Sequence, residues 1–385
     1  MRPGGRSFRL GSTSDRFAVR GRLCAEKGTR MPAVQIEWFR IPVDRGLLKS
    51  FTEKSDLKGF LQAGSFLLVF LVTAGVSFYC FWRHWWVAMV VACYLHSVFH
   101  QMVGMSAAVH ELNHGTVFKT KWINEAFYKL FCFLTWNNPV HFRASHALHH
   151  QYTVYRNVDY EVIQSPVKDT MNWGNYISWF TFDYAWFWTL VRGNVLHFLG
   201  RGNVDFFSWN PLFAEDDPRR KQMIRWARLV LPLYAALIVV FSVTHLWVLI
   251  YLVIFGNFFA TFLGRLTFAI QHMGLDENVP DWRMVCHTVK VHPVIGWLYW
   301  HMNYHIEHHM YAAVPCYNLP KFHELIKANL PEGPEGFING LKLVGEIKKK
   351  QAEDPNFIYV PKFPATATPP KNKQTQSRPV GEVAG

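Results

Sequence analysis

Histidine is the residue type whose placement in this sequence points to chemistry. Of the 19 histidines, eight fall in three short strings. His110 and His114 lie in HELNH, His146, His149 and His150 in HALHH, and His305, His308 and His309 in HIEHH. On a helix, positions i, i+3 and i+4 share one face, so each HxxHH string aims three imidazoles at a common point and HxxxH aims two. That is metal-ligand spacing. A single buried histidine is more often a hydrogen-bonded core group, but eight in three aligned strings read as ligands. Eight exceed the roughly four to six that one ion takes, so the strings imply two ions. Imidazole suits iron, zinc, copper and nickel, and spacing does not choose among them. Zinc has no redox chemistry. The six cysteines (Cys24, Cys80, Cys93, Cys132, Cys286, Cys316) are scattered, with no CxxC pair, so thiolate ligands are not indicated. A nitrogen-rich dinuclear centre beside a membrane is read as two iron ions that activate O2 against an apolar substrate.

The rest of the chain must position these strings, and its composition says in what solvent. It carries a formal charge of +13, yet only 17% of its residues are charged and 16% are aromatic. An ordinary soluble domain has about 25% charged residues. This balance excludes a nucleic-acid binder and a disordered chain, and points to a protein in lipid. The mean hydropathy of +0.02 adds a sizeable polar body. Four stretches, 63–82, 85–104, 226–244 and 246–264, have the roughly 20 apolar residues that span a bilayer. They pair as two tight hairpins. Residues 1–60 hold 13 Lys+Arg and 192–228 hold seven more, against one in the two hairpin tips, which places both termini, the middle and all three histidine strings on the cytoplasmic side. A fifth stretch, 176–191, is short, carries Asp183 and is rich in Trp and Tyr, so it is expected to lie in the interface, as is 123–136. The run Arg219, Arg220, Lys221, Arg225, Arg228 reads as an anchor to anionic headgroups.

The fold expected is therefore all-α integral membrane, with four transmembrane helices in two hairpins, interfacial helices and a cytoplasmic helical cap that holds the histidines. Its divisions are a basic segment 1–60, a membrane domain 61–345 and a tail 346–385 expected to be disordered from about 361. Residues 1–30, Arg-rich and acid-poor, read as a disordered arm or as sequence ahead of a start at Met31. The membrane would be the inner membrane of a bacterium or the endoplasmic reticulum of a eukaryote.

The strings HELNHGT, SHALHHQYT and NYHIEHHMYAAVPCYNLPKFHE together resemble the membrane fatty acid desaturase family, over about residues 60–345. The third is the most specific, since NYxxEHHxxxxVPxYNLPxxHE matches well beyond the histidines. The first is HxxxH, one residue shorter than the HxxxxH of the acyl-CoA branch. The resemblance implies three histidine boxes around two Fe ions, with the eight histidines above and His272 of the QH pair as ligands, and a lipid or acyl chain as substrate. It implies desaturation, with hydroxylation as the alternative. QHMGLDENVPDW ahead of WHMNYHIEHH is also similar to a bacterial hydrocarbon-oxygenase branch, which draws electrons from a Rieske-type ferredoxin. The chain has no HPGG haem motif, Rossmann fingerprint or iron–sulfur cysteines, so an external donor is expected: a ferredoxin, a Rieske-type ferredoxin or a cytochrome b-type protein with its reductase. A non-catalytic metal-binding membrane protein is the reading from another class.

Beside the strings, Glu111, Asp159 and Glu307 are candidate acceptors for the far N–H of a ligating histidine, as are Asn113, Gln271 and Asn303. Solvated acids or salt bridges to the basic loops explain the carboxylates equally well. His96 and His100, within the second apolar stretch, read as tunnel-lining groups or as hydrogen-bonded core residues. His141, His287, His292, His301 and His323 are read mostly as ordinary core or surface groups.

Overall fold

A computed structural model describes residues 36–155, 158–159, 161–162, 173–201 and 212–371, all within the compact unit Gln35–Arg378. The arm 1–30 and the tail beyond 371 lie outside the described residues. The helices are α1 Arg45–Phe51, α2 Asp56–Trp82, α3 Trp86–Val103, α4 Ala108–Asn113, α5 Lys121–Leu134, α6 Pro139–Tyr152, α7 Trp173–Phe180, α8 Tyr184–Phe198, α9 Pro218–Val243, α10 Phe262–His272, α11 Trp282–Val285, α12 Pro293–Leu298, α13 His305–Met310, α14 Leu319–Ile326 and α15 Phe337–Glu353. Among the described residues the only β pairing is isolated bridges.

α2, α9 and the helical stretch Trp86–Asn113 are long and apolar enough to cross a bilayer. They turn large apolar side chains outward, among them Leu68, Leu71 and Val72 on α2, Val87, Val90 and Val91 on α3, and Val239, Val240 and Val243 on α9. In water such faces would seek a partner, and in hydrocarbon they need none. Both expected hairpins turn tightly. His84 and His245 each take a left-handed backbone, at φ 53° and 57°. Just past each, Trp85 N–H donates to Cys80 O at 2.9 Å and Leu246 N–H to Phe241 O at 2.8 Å, the bond that closes a helix C-terminus over a left-handed residue.

The fourth expected span, 246–264, is not a continuous helix. Ile250–Phe255 winds as a π-helix, Gly256–Phe258 as a 3-10 turn, and Ala260 has φ 50° before α10 begins. Apolar length is blind to this, because the break is decided by donors elsewhere in the chain. His96 Nε2–H donates to Leu252 O at 3.0 Å, Trp136 Nε1–H to Ile254 O at 2.7 Å, and the Gln101 amide to Asn257 O. Backbone released from a helix at membrane depth is tolerated only where it is satisfied inside the protein. His96 thus has a core role, and His100 has one too, donating to Leu134 O at 2.9 Å. Gly256 lets the chains approach closely at this crossing, since a Cβ there would sit 3.0 Å from His100 Nδ1 and 3.1 Å from Tyr251 O.

The stretch 176–191 is interrupted as well, between α7 and α8, and neither piece is long enough to span. The two interruptions pair with each other. Phe182 bridges Phe259 in antiparallel sense, Asp183 N–H donates to Phe258 O at 2.8 Å, and Ala260 N–H donates to Thr181 O at 2.9 Å. Buried Asp183 locks this junction. It caps α8 through Trp186 N–H at 3.0 Å and accepts from Thr261 Oγ1 at 2.8 Å and from the Arg265 guanidinium at 2.7 Å.

The chain after α15 also departs from expectation. Residues 361–371 are not loose: Arg283 Nη1 donates to Thr368 O at 2.9 Å, and Lys371 N–H to Asp281 Oδ2 at 3.2 Å. A Pro- and Thr-rich composition suggests disorder, but a buried guanidinium needs carbonyl acceptors, and this segment supplies them.

Asp183→Ala would remove a cap and strand Arg265 beside a paired helix break. We expect a loss of about 2–4 kcal/mol, read as a lower thermal midpoint in detergent than for Asp217→Ala, which removes a partly exposed cap paired with exposed Arg219.

Candidate metal centre

Each histidine string owes its direction to a short helix. His110 lies in α4 and His114 closes its C-terminus. His146, His149 and His150 share one face of α6, which starts cleanly because Pro139 occupies its first turn and Asn138 Oδ1 accepts from Val140 N–H and His141 N–H. His272 is the last residue of α10. His305, His308 and His309 lie on α13, all six residues of which are buried.

The nine histidines meet as two groups. His110, His114, His146, His150 and His308 form one, and His149, His272, His305 and His309 the other; within each, the candidate ligand atoms lie within 4.8 Å of one another. The division cuts across the strings, since neighbours His149 and His150 go to different groups, as do His308 and His309.

Nitrogen faces nitrogen throughout. In the first group the Nε2···Nε2 distances are 3.1 Å for His110–His308, 3.1 Å for His114–His146, 3.0 Å for His146–His150 and 3.2 Å for His150–His308. In the second they are 2.8 Å for His272–His305 and 3.1 Å for His305–His309. Hydrogen bonding alone does not satisfy these contacts. His272 gives its Nδ1–H to Val285 O at 2.8 Å, and His309 gives its own to Thr153 Oγ1 at 3.1 Å, whose hydroxyl hydrogen goes to His149 O. Both rings therefore point an Nε2 lone pair at His305 Nε2, which has at most one hydrogen to offer. A shared cation resolves the conflict. Two imidazole nitrogens at right angles about 2.1 Å from one ion lie about 3.0 Å apart, the spacing found here.

Extra protons are not the cation the site favours. Burial, and then repulsion between rings, holds His146, His150, His272, His305 and His309 well below the ordinary imidazole value. The same causes bring His114 and His308 down to about 3. Burial works on His149 too, but the Asp159 carboxylate outweighs it and raises this ring. The ligand form of histidine is the neutral ring, and that is the form burial favours.

Carboxylates orient several rings from behind. Asp159 Oδ2 accepts from His149 Nδ1 at 2.9 Å and from Val154 N–H at 2.7 Å, while its Oδ1 accepts from Glu161 N–H. Glu111 Oε1 stands 3.0 Å from His308 Nδ1. Glu161, absent from the sequence reading, accepts from His146 Nδ1 at 2.9 Å. Its signal was there in the acid two residues beyond Asp159. Other expected partners are engaged elsewhere. Glu307 binds His323 and Thr288 Oγ1 rather than a box histidine, Gln271 donates to Tyr299 Oη, and Asn303 donates to Val289 O to close the loop before α13. Among the described residues no hydrogen bond joins Asn113 to either group.

A cavity of about 370 Å³ reaches the histidines, a size typical of small-molecule sites. Met105, Phe142, Val162, Trp186, Phe268 and Met273 make much of its wall, and His110, His149 and His272 open onto it. Both groups are therefore represented in one largely apolar cavity.

The family model for fatty acid desaturase matches residues 83–338, about two thirds of the chain. The chain belongs to the fatty acid desaturase family, a family of oxidoreductases that act on acyl lipids in membranes. No curated protein matches it. The match takes in all nine clustered histidines and both carboxylates behind α6, but leaves out α1, α2 and everything beyond Ile338.

Because Asp159 and Glu161 serve different groups, they should be separable. Asp159→Asn and Glu161→Gln are each expected to weaken the binding of one metal ion by about 10–100-fold while sparing the other, measured as metal per chain after dialysis against graded chelator. Loss of both ions in either variant would contradict the division into two groups.

Proposed function

We propose that this chain is an O2-dependent membrane desaturase in which the five-histidine and four-histidine groups each hold one iron ion. The observation that carries this reading is the cavity: one apolar chamber bounded by His110 from the first group and by His149 and His272 from the second. A transporter would need a path across the membrane, and a structural metal site would need no chamber at all.

In this reading the balanced reaction converts –CH2–CH2– in an acyl chain to –CH=CH–, with O2 reduced to two waters by the two electrons of the C–H bonds and two from a donor, together with two protons. Bound iron supplies the reductive activation of O2 that no side chain can perform. The protein's residues do the positioning. Phe142, Phe268, Met105 and Met273 hold the methylenes by shape and exclude water, and catalysis requires the reacting carbon within about 3–3.5 Å of the oxidant. Asp159 and Glu161 keep Nδ1 of His149 and His146 occupied, so each ring offers Nε2 forward. The electrons come from a separate ferredoxin, Rieske-type ferredoxin or cytochrome b-type protein. By the distribution of Lys and Arg, the centre faces the cytoplasm.

The test combines metal analysis with lipid profiling of cells that express the protein and a matching electron donor. We expect about two irons per chain and a product two hydrogens lighter than its substrate, absent with His308→Ala. A product one oxygen heavier would replace desaturation by hydroxylation. Well-folded protein that binds no metal would end the di-iron reading.

A further inference from the structure

The short helix α11 reaches the four-histidine group once directly and once through Thr153, and among the described residues makes no hydrogen bond to the five-histidine group. Its Val285 O takes the Nδ1 proton of His272 at 2.8 Å, and its Trp282 Nε1–H reaches Thr153 Oγ1 at 3.3 Å, the oxygen that fixes His309. Four residues do not make a stable helix alone, so something must hold α11 in place.

What holds it is Arg283, fully buried between a segment that precedes α1 and one that follows α15. Its guanidinium pairs with Asp281 at 2.7 and 2.9 Å and donates to Asn329 O at 3.1 Å. From the C-terminal side, Thr368 O at 2.9 Å and Pro369 O at 3.4 Å accept from it. From the N-terminal side the Phe39 ring lies 3.9 Å from its central carbon. The two segments also meet each other, Lys371 Nζ donating to Glu37 O at 2.8 Å, and Trp38 stacks on Trp282 with centroids 4.4 Å apart. Both segments lie outside residues 83–338, the region shared with the family.

We infer that the strap 363–371, clasped with segment 37–41 around buried Arg283, holds α11 so as to position His272 and His309, and that the strap thereby sets metal affinity at the four-histidine group alone. Arg283, Trp282 and the C-terminal strap are positioning elements, since none touches the cavity. In the five-histidine group Glu161 orients His146, and no hydrogen bond from the 363–371 strap reaches that group among the described residues; segment 37–41 does meet α6, through Trp38 Nε1–H to Gln151 O at 3.0 Å. This inference rests on the assignment of the nine histidines as ligands.

Full-length protein in detergent, stripped of metal and titrated anaerobically with Fe2+, provides the test. Two variants serve: a chain ending at Val360, which leaves the Arg283–Asp281 pair and the Asn329 acceptor in place, and the gentler Arg283→Lys, which keeps the charge but loses the forked donors. Each is expected to bind one ion with wild-type affinity and the second at least tenfold more weakly, with thermal midpoint and elution volume reporting an intact fold. In a His114→Ala background, which disables the five-histidine group, the truncated chain should hold no tight ion, whereas His114→Ala alone holds one. Two ions of unchanged affinity in both variants would overturn the clasp, as would equal weakening of both ions. A wild-type chain that does not bind two ions would instead remove the ligand assignment itself, an outcome distinct from failure of the clasp.

Discussion

Nine imidazoles, gathered nitrogen to nitrogen into two groups in a buried interior, form an arrangement that the protein must hold open against its own electrostatics, and the rest of the fold follows from that need. Lone pairs crowded at about 3 Å repel unless a cation lies between them. Charged rings would repel more strongly still and lose their hydration. The structure answers by burying the rings, which disfavours protonation, and by giving several Nδ1–H groups an acceptor. Val285 O, Thr153 Oγ1, Asp159 and Glu161 are thus part of the centre although none points into it.

Holding rings this way needs short helices that end where the geometry demands, not where a bilayer does. α4, α11 and α13 are each a turn or two long, and α10 stops at His272 itself. Getting from the membrane to these fragments requires the helical ladder to break, and a broken ladder in hydrocarbon costs several kcal/mol per orphaned group. The breaks at 181–183 and 258–260 satisfy each other through their backbones, and His96, Trp136 and Gln101 reach over to the remaining carbonyls. Polar residues inside an apolar stretch, which look like functional groups in isolation, are here the cost of bending the chain toward its site.

Locality explains what could be read in advance. The three histidine strings, HELNH, HALHH and HIEHH, are visible because helical spacing converts sequence distance directly into a shared face, and the hairpins at His84 and His245 are visible because apolar runs and their interruptions are local. The acids at positions 111 and 159 could be nominated from nearness alone. The same logic nominated Glu307, Gln271 and Asn303, which turn to Thr288, His323, Tyr299 and Val289 instead. Proximity along the chain says that a side chain is near a helix but not which way it leaves it.

By itself, then, the sequence determined that this is an all-helical chain with lipid-facing helices and histidines in metal-ligand spacing, because those properties reside in composition and in intervals of three and four residues. Tertiary structure decided how the histidines divide into five and four, so that His149 and His150, adjacent on α6, serve different groups. It decided that 246–264 is interrupted rather than one continuous helix, and that 361–371 packs on Arg283. Such features depend on distant partners, such as Leu252 for His96, 156 residues away, and Thr368 for Arg283, 85 residues away. No interval in the chain encodes such a meeting, because only the packed fold brings the two ends of it together.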